Sequence, residues 1–231
     1  MTYFEKVLQI FTTPKYLESM FTGLGTTVVI SVGAAVLGLV LGALVALAAL
    51  SESGNPLMKV LKAVCKVYVT VIRGTPMALQ LFIMAFVVFA IRGFPITVTA
   101  IIAFGVNSGA YVSENIRAGI LSVDPGQTEA GRSLGMTAGA TMLKIVIPQA
   151  IKNVIPAIGN ELIALIKETS IVSMIGMYDL TAAAKIVGSG NNLANYLAPM
   201  SVAALFYLAI VYLLTFVIKR IERRLRESDQ R

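Results

Sequence analysis

The sequence has no histidine and one cysteine, and only 13% of its 231 residues are charged. Without histidine there is no imidazole metal ligand and no side chain that ordinarily titrates near neutral pH. The lone Cys65 rules out an intrachain disulfide and is expected to pack as a small apolar group. No G-x-x-x-x-G-K-[ST] stretch occurs, so the chain carries no nucleotide phosphate loop of its own. Soluble domains carry about 25% charged residues, and the shortage here argues against a water-facing surface. The first twenty residues contain Glu5 and Lys6 but no long apolar core and no small-residue cleavage pattern, which predicts no cleaved signal peptide.

What is present is apolar. Hydrophobic residues make up 57% of the chain, and the mean hydropathy is +0.81. A bilayer-crossing helix needs about 20 mostly apolar residues. Five segments meet that length: 22–50, 59–91, 94–121, 150–177 and 198–218. The second holds Arg73-Gly74-Thr75-Pro76 in its interior. Ahead of them, Phe4, Val7, Leu8, Ile10 and Phe11 recur at helical spacing until Pro14. This pattern predicts a short amphipathic helix on the membrane surface within residues 1–21.

The formal charge is +7. The basic residues flank apolar spans, so no nucleic-acid partner is expected and the charge reads as a topology signal. Lys59, Lys62 and Lys66 follow the first span; Arg132, Lys144 and Lys152 follow the third, with Arg117 at its edge. Lys219, Arg220, Arg223, Arg224, Arg226 and Arg231 follow the fifth. With five spans all three groups fall on one side, predicting the N-terminus outside and the C-terminus in the cytoplasm. The expected division is an interfacial segment 1–21, a membrane domain 22–218 with a cytoplasmic loop 122–149, and a basic tail 219–231 that contacts anionic lipid headgroups.

That loop has its own pattern. Asp124 can cap a helix opened by Pro125, Gly135 permits a sharp break, and residues 137–144 can form a second short helix. Pro148 is then expected to redirect the chain into the fourth span. Two short helices around a glycine make a knob whose small residues, Gly135, Ala138, Gly139 and Ala140, let a soluble partner approach.

Charged groups inside spans are costly and usually face a cavity or partner. Arg73 is expected to pair with a carboxylate or support the kink at Pro76, and the adjacent Lys167 and Glu168 to join interhelical networks. Asn107, Tyr111 and Glu114 share a helix face by three- and four-residue spacing, and Asn160 and Glu161 follow Pro156 and Gly159. These five are the candidate substrate-binding residues, with a purely structural polar network as the alternative. The acids among them favour a cationic substrate. Gly38 and Gly42, and Gly105 and Gly109, form two GxxxG pairs suited to close helix approach.

The loop resembles the signature of ABC importer permeases: Glu-Ala-Ala, three residues, Gly, nine residues, Ile, one residue, Leu-Pro. Glu129, Ala130, Gly135, Ile145 and Pro148 stand at that spacing, with Gly131 where Ala is usual and Ile147 where Leu is usual. Arg73-Gly74-Thr75-Pro76 with Leu79 to Phe82, Tyr111 to Ile120, and Asn160 to Ser170 are similar to the polar amino-acid subfamily. The resemblance implies an all-α type I importer permease core of five transmembrane helices in a bacterial inner membrane. It implies two permease subunits, identical or homologous, a cytoplasmic ATPase dimer that binds ATP and Mg, and an extracytoplasmic amino-acid-binding protein. This chain would hold no cofactor and no catalytic residue. Contact with the ATPase would fall on Glu129, Ala130, Gly131, Gly135, Met136, Thr137, Ala138 and Pro148. An ion-gradient-driven transporter and a non-transporting scaffold are the alternatives.

Overall fold

A computed structural model describes residues 2–51, 54–189 and 196–227, and every element among them is helical. The helices are α1 (Tyr3–Thr12), α2 (Pro14–Leu50), α3 (Pro56–Gly74), α4 (Met77–Ile83), α5 (Ile96–Leu121), α6 (Pro125–Ser133), α7 (Ala138–Thr141), α8 (Ile147–Glu168), α9 (Leu180–Gly188) and α10 (Leu197–Glu227). Wide turns at Met84–Val88 and Met142–Val146 extend α4 and α7, and a tight 3₁₀ segment, Thr169–Ile175, extends α8. Four helical stretches are long and apolar enough to cross a membrane, and a fifth span arises if the broken pair α3 and α4 counts as one.

The boundaries depart from sequence expectation for local reasons. Proline is tolerated at a helix start because its missing N–H is an orphan there anyway. So α2 opens at Pro14 rather than near residue 22 and runs 37 residues, about 55 Å at 1.5 Å per residue. The second span is not one helix: Thr75 and Pro76 are both extended, which ends α3 and begins α4. Pro148 does not redirect the chain. It lies inside a continuous helical run from Ala138 to Ile175. The preceding wide turn, in which the Ile147 N–H reaches back to the Met142 carbonyl, accommodates a ring that cannot donate. Helix α10 continues through the basic residues to Glu227; the end of the expected tail, 228–231 with Arg231, lies outside the described residues.

The chain divides into two compact units. The first comprises Met1–Ala35, Pro76–Gly105 and Leu162–Leu214. Its core has one cluster around Ile10, Met20, Leu180 and Val202, and another around Ile30, Leu81, Phe104, Leu165 and Val172. Helix α1 opens with a reciprocal cap between Thr2 and Glu5. It sinks Ile10 into this core and leaves Phe4 and Leu8 exposed. Asp179 is fully buried and caps α9 by accepting from the Thr181 and Ala182 amides. Burial pushes its carboxyl up, and those amides pull it back. The Leu180 amide beside it donates to the Thr27 hydroxyl. A Cβ on Gly23 would come within 2.6 Å of the Asp179 carbonyl oxygen, so glycine is what lets α2 approach this turn.

The second unit comprises Val36–Thr75, Val106–Glu161 and Thr215–Arg231. Here α2 and α5 pack through small residues. A Cβ on Gly38 would lie 2.8 Å from Ser108, and one on Gly42 would lie 2.6 Å from Val112. Lipid tails are as apolar as leucine, so close van der Waals contact, not burial, holds such helices together. The opposite face of α2 accordingly leaves Val36, Leu39, Val40, Leu44 and Leu47 exposed. Cys65 is buried, as a small apolar group would be.

Candidate functional site

Two features of the second unit carry chemistry. The first is a polar cluster on α3 and α5. The Arg117 guanidinium forks onto Glu114, its Nε 3.1 Å from Oε1 and its Nη2 2.9 Å from Oε2. Arg73 approaches the same carboxylate at 3.5 Å and lies 5.2 Å from the centre of the Tyr111 ring. Arg73 thus does pair with a carboxylate. Both arginines and Glu114 stay partly exposed, which keeps the pairs individually weak.

The cluster borders a cavity of about 490 Å³ between α2, α3 and α5. Its walls are apolar at Val45, Ala46, Ala49, Cys65 and Val69, and cationic at Lys62, Lys66, Arg73 and Arg117. Among the described residues Glu114 is the only acid on it. Of the five candidate substrate residues only Glu114 lines this cavity. Tyr111 joins through Arg73, and Asn107 is buried in α5. On α8, Asn160 is exposed and Glu161 half-buried, and neither lines it. Sequence reasoning did not assemble the cationic wall. The signal was there in the spacing: Lys62, Lys66 and Arg73 form one helical stripe, and Glu114 and Arg117 are three apart. In the first unit, Lys167 borders a smaller hollow of about 390 Å³ with Ser170 and Tyr207.

The second feature is the loop Ser122–Gln149. Asp124 accepts from the Gly126 amide at 2.8 Å and starts α6. The helix ends at Gly135, whose φ of +80° is open to glycine and strained for other residues. The Gly135 and Met136 amides bond back to the Arg132 and Gly131 carbonyls, and Arg132 donates to the Met136 carbonyl at 2.6 Å. Thr137 then caps α7. The knob therefore has two helical arms around a glycine, with Glu129, Ala130, Ala138 and Leu134 on its exposed surface. Gly131 is instead buried: a Cβ there would lie 2.8 Å from both Ile145 Cδ1 and Thr141 Cγ2. That crowding explains glycine at a position where the permease signature has alanine. Gln149 to Gln127 and Asn153 to Ser122 tie the knob to the start of α8.

Residues 38–227 match the family described as the binding-protein-dependent transport system inner membrane component. The chain belongs to this family. As an inner membrane component it is an all-α integral membrane protein with a type I ABC importer permease core. It is 42% identical over 209 residues to the arginine transport system permease protein ArtQ of Bacillus subtilis, covering 90% of this chain and 92% of that one. It is 43% identical over 197 residues to a putative glutamine transport system permease protein GlnP of Rickettsia bellii, covering 84% of this chain and 87% of that one. A solved amino acid ABC transporter with histidines superposes with a TM-score of 0.84 at 39% identity, covering 93% of this inner membrane component and 98% of that chain.

Proposed function

We propose that this permease forms the translocation pathway for polar amino acids, basic ones preferred, in an importer driven by a partner ATPase. The observation that carries the reading is the knob: a capped helix, a left-handed glycine and a second capped turn, suited to a groove on a soluble partner. The chain has no phosphate loop, so ATP and Mg belong to that partner, a cytoplasmic dimer. A second permease copy or homologue and an extracytoplasmic binding protein complete the assembly, with the N-terminus outside and the C-terminus in the cytoplasm. Relatives named for arginine and glutamine transport support an amino-acid substrate.

The polar cluster can replace the water around a zwitterion, guanidinium for carboxylate and carboxylate for ammonium. Glu114 already meets two arginines. The preference for basic side chains is assigned to Glu161 and Glu114 together, the two acids among the five candidate residues. Alternating access, with ATP-driven movement transmitted through the knob, delivers the substrate inward. The test is uptake of labelled arginine and glutamine by the reconstituted complex. Glu161→Gln should lose arginine uptake and keep glutamine uptake; equal retention of both would remove Glu161 from the site. Replacing Gly135 with a bulky residue should leave ATP hydrolysis running without uptake, and normal coupling in that variant would count against the docking role.

A further inference from the structure

Among the described residues, the cavity between α2, α3 and α5 is lined by four cationic side chains and one carboxylate. Glu114 is shared by Arg73 and Arg117, and Lys62 donates to the Ser51 carbonyl. Among the described residues Lys66 has no ion-pair partner. It stands ten residues into α3, one turn beyond Lys62 on the same helix face, and is exposed at the cavity. The same helix exposes Leu57, Val60, Leu61, Val64, Val67 and Val71. Its cationic stripe faces the cavity, whose walls at Val45, Ala46, Ala49 and Val69 are apolar. A ligand matching both halves is an amphiphile with an anionic head.

We propose that this cavity holds the phosphate headgroup of an anionic phospholipid, with Lys62 and Lys66 as its main contacts and an acyl chain along Val45 and Val69. Basic pockets between transmembrane helices recognise acidic headgroups by this pairing. The lining residues come from the C-terminal end of α2, from α3 and from the C-terminal end of α5. Under the proposed orientation this is the cytoplasmic leaflet. The inference rests on the membrane placement and orientation in the proposed function, and it uses Lys62 and Lys66 rather than the Arg73, Glu114 and Arg117 cluster assigned there to the substrate.

The test is native mass spectrometry of the full transporter complex in detergent, titrated with phosphatidylglycerol or phosphatidylcholine. Phosphatidylglycerol should be retained at lower concentration than phosphatidylcholine. Lys66→Gln should weaken its retention about fivefold, and Lys62→Gln with Lys66→Gln about 25-fold. Lys66→Arg should keep it, as should Lys15→Gln, which leaves both the cavity lining and the basic tail intact. If the double variant fails to assemble, the single change at the exposed Lys66 gives the same reading. Unchanged phosphatidylglycerol retention in the lysine variants would overturn the proposal. So would displacement of the lipid by millimolar inorganic phosphate, which would assign the cavity to a free anion. Absence of amino-acid uptake by the wild-type complex, with lipid retention intact, would count against the transport reading and leave this one standing.

Discussion

Restoring the family's alanine at Gly131 should loosen the loop that carries it. Two effects oppose each other. Alanine in place of glycine favours a helix by about 1 kcal/mol. Against that, the new Cβ would sit 2.8 Å from Ile145 Cδ1 and from Thr141 Cγ2, inside the optimal carbon separation of about 3.5–4.0 Å. Overpacking of this kind costs about 1–3 kcal/mol. Steric crowding therefore wins by about 1 kcal/mol, because Thr141 is buried and Ile145 half-buried, so neither has open space to retreat into. The assay is trypsin cleavage after Arg132, which requires local opening of α6 and tracks its equilibrium when reclosing is fast. At about 1.4 kcal/mol per tenfold, Gly131→Ala should cleave about fivefold faster than wild type. Adding Ile145→Val removes the Cδ1 and should return the rate part of the way, the Thr141 contact remaining, giving a favourable coupling between the two changes. Slower cleavage in Gly131→Ala, or strict additivity in the double variant, would refute the crowding argument.

Gly42→Leu should prevent close packing of α2 on α5 and lower the melting temperature of the complex, while Gly25→Ala, where a Cβ meets nothing within 4 Å, should not; equal effects would remove the small-residue contact from the account. Asp179→Ala should cost about 1 kcal/mol through the lost α9 cap, read as a lower melting temperature, with Asp179→Asn recovering part of it because one acceptor oxygen remains. In a variant with Cys65 replaced, single cysteines at Lys15 and Lys219 should label from opposite sides of the membrane, and labelling from one side would overturn the topology and with it the placement of the loop.

Much of the fold was legible because membrane spans declare themselves by length and hydropathy. The loop was legible because its turn chemistry is local: Asp124 caps, Gly135 breaks and Thr137 caps again within fourteen residues. Two proline effects were not legible. Pro14 and Pro148 both read as interruptions, yet one opens a helix and the other is absorbed by a wide turn. Which outcome a proline takes depends on the hydrogen bonding of the residues before it. The candidate site was read in halves. Tyr111 and Glu114 stood out as polar residues within a span, but pairing them with Arg73 needs the packing of α3 on α5, which periodicity along one helix does not report. Asn160 and Glu161 share a unit with that cluster but do not line its cavity.

The central claim is that this permease couples amino-acid movement to hydrolysis by a separate ATPase. It is tested most directly by ATP hydrolysis in proteoliposomes holding the permease, its ATPase and its binding protein. Adding arginine on the binding-protein side should raise the hydrolysis rate and drive arginine uptake without an ion gradient. Hydrolysis indifferent to every amino acid, with uptake that follows an imposed ion gradient instead, would contradict the account.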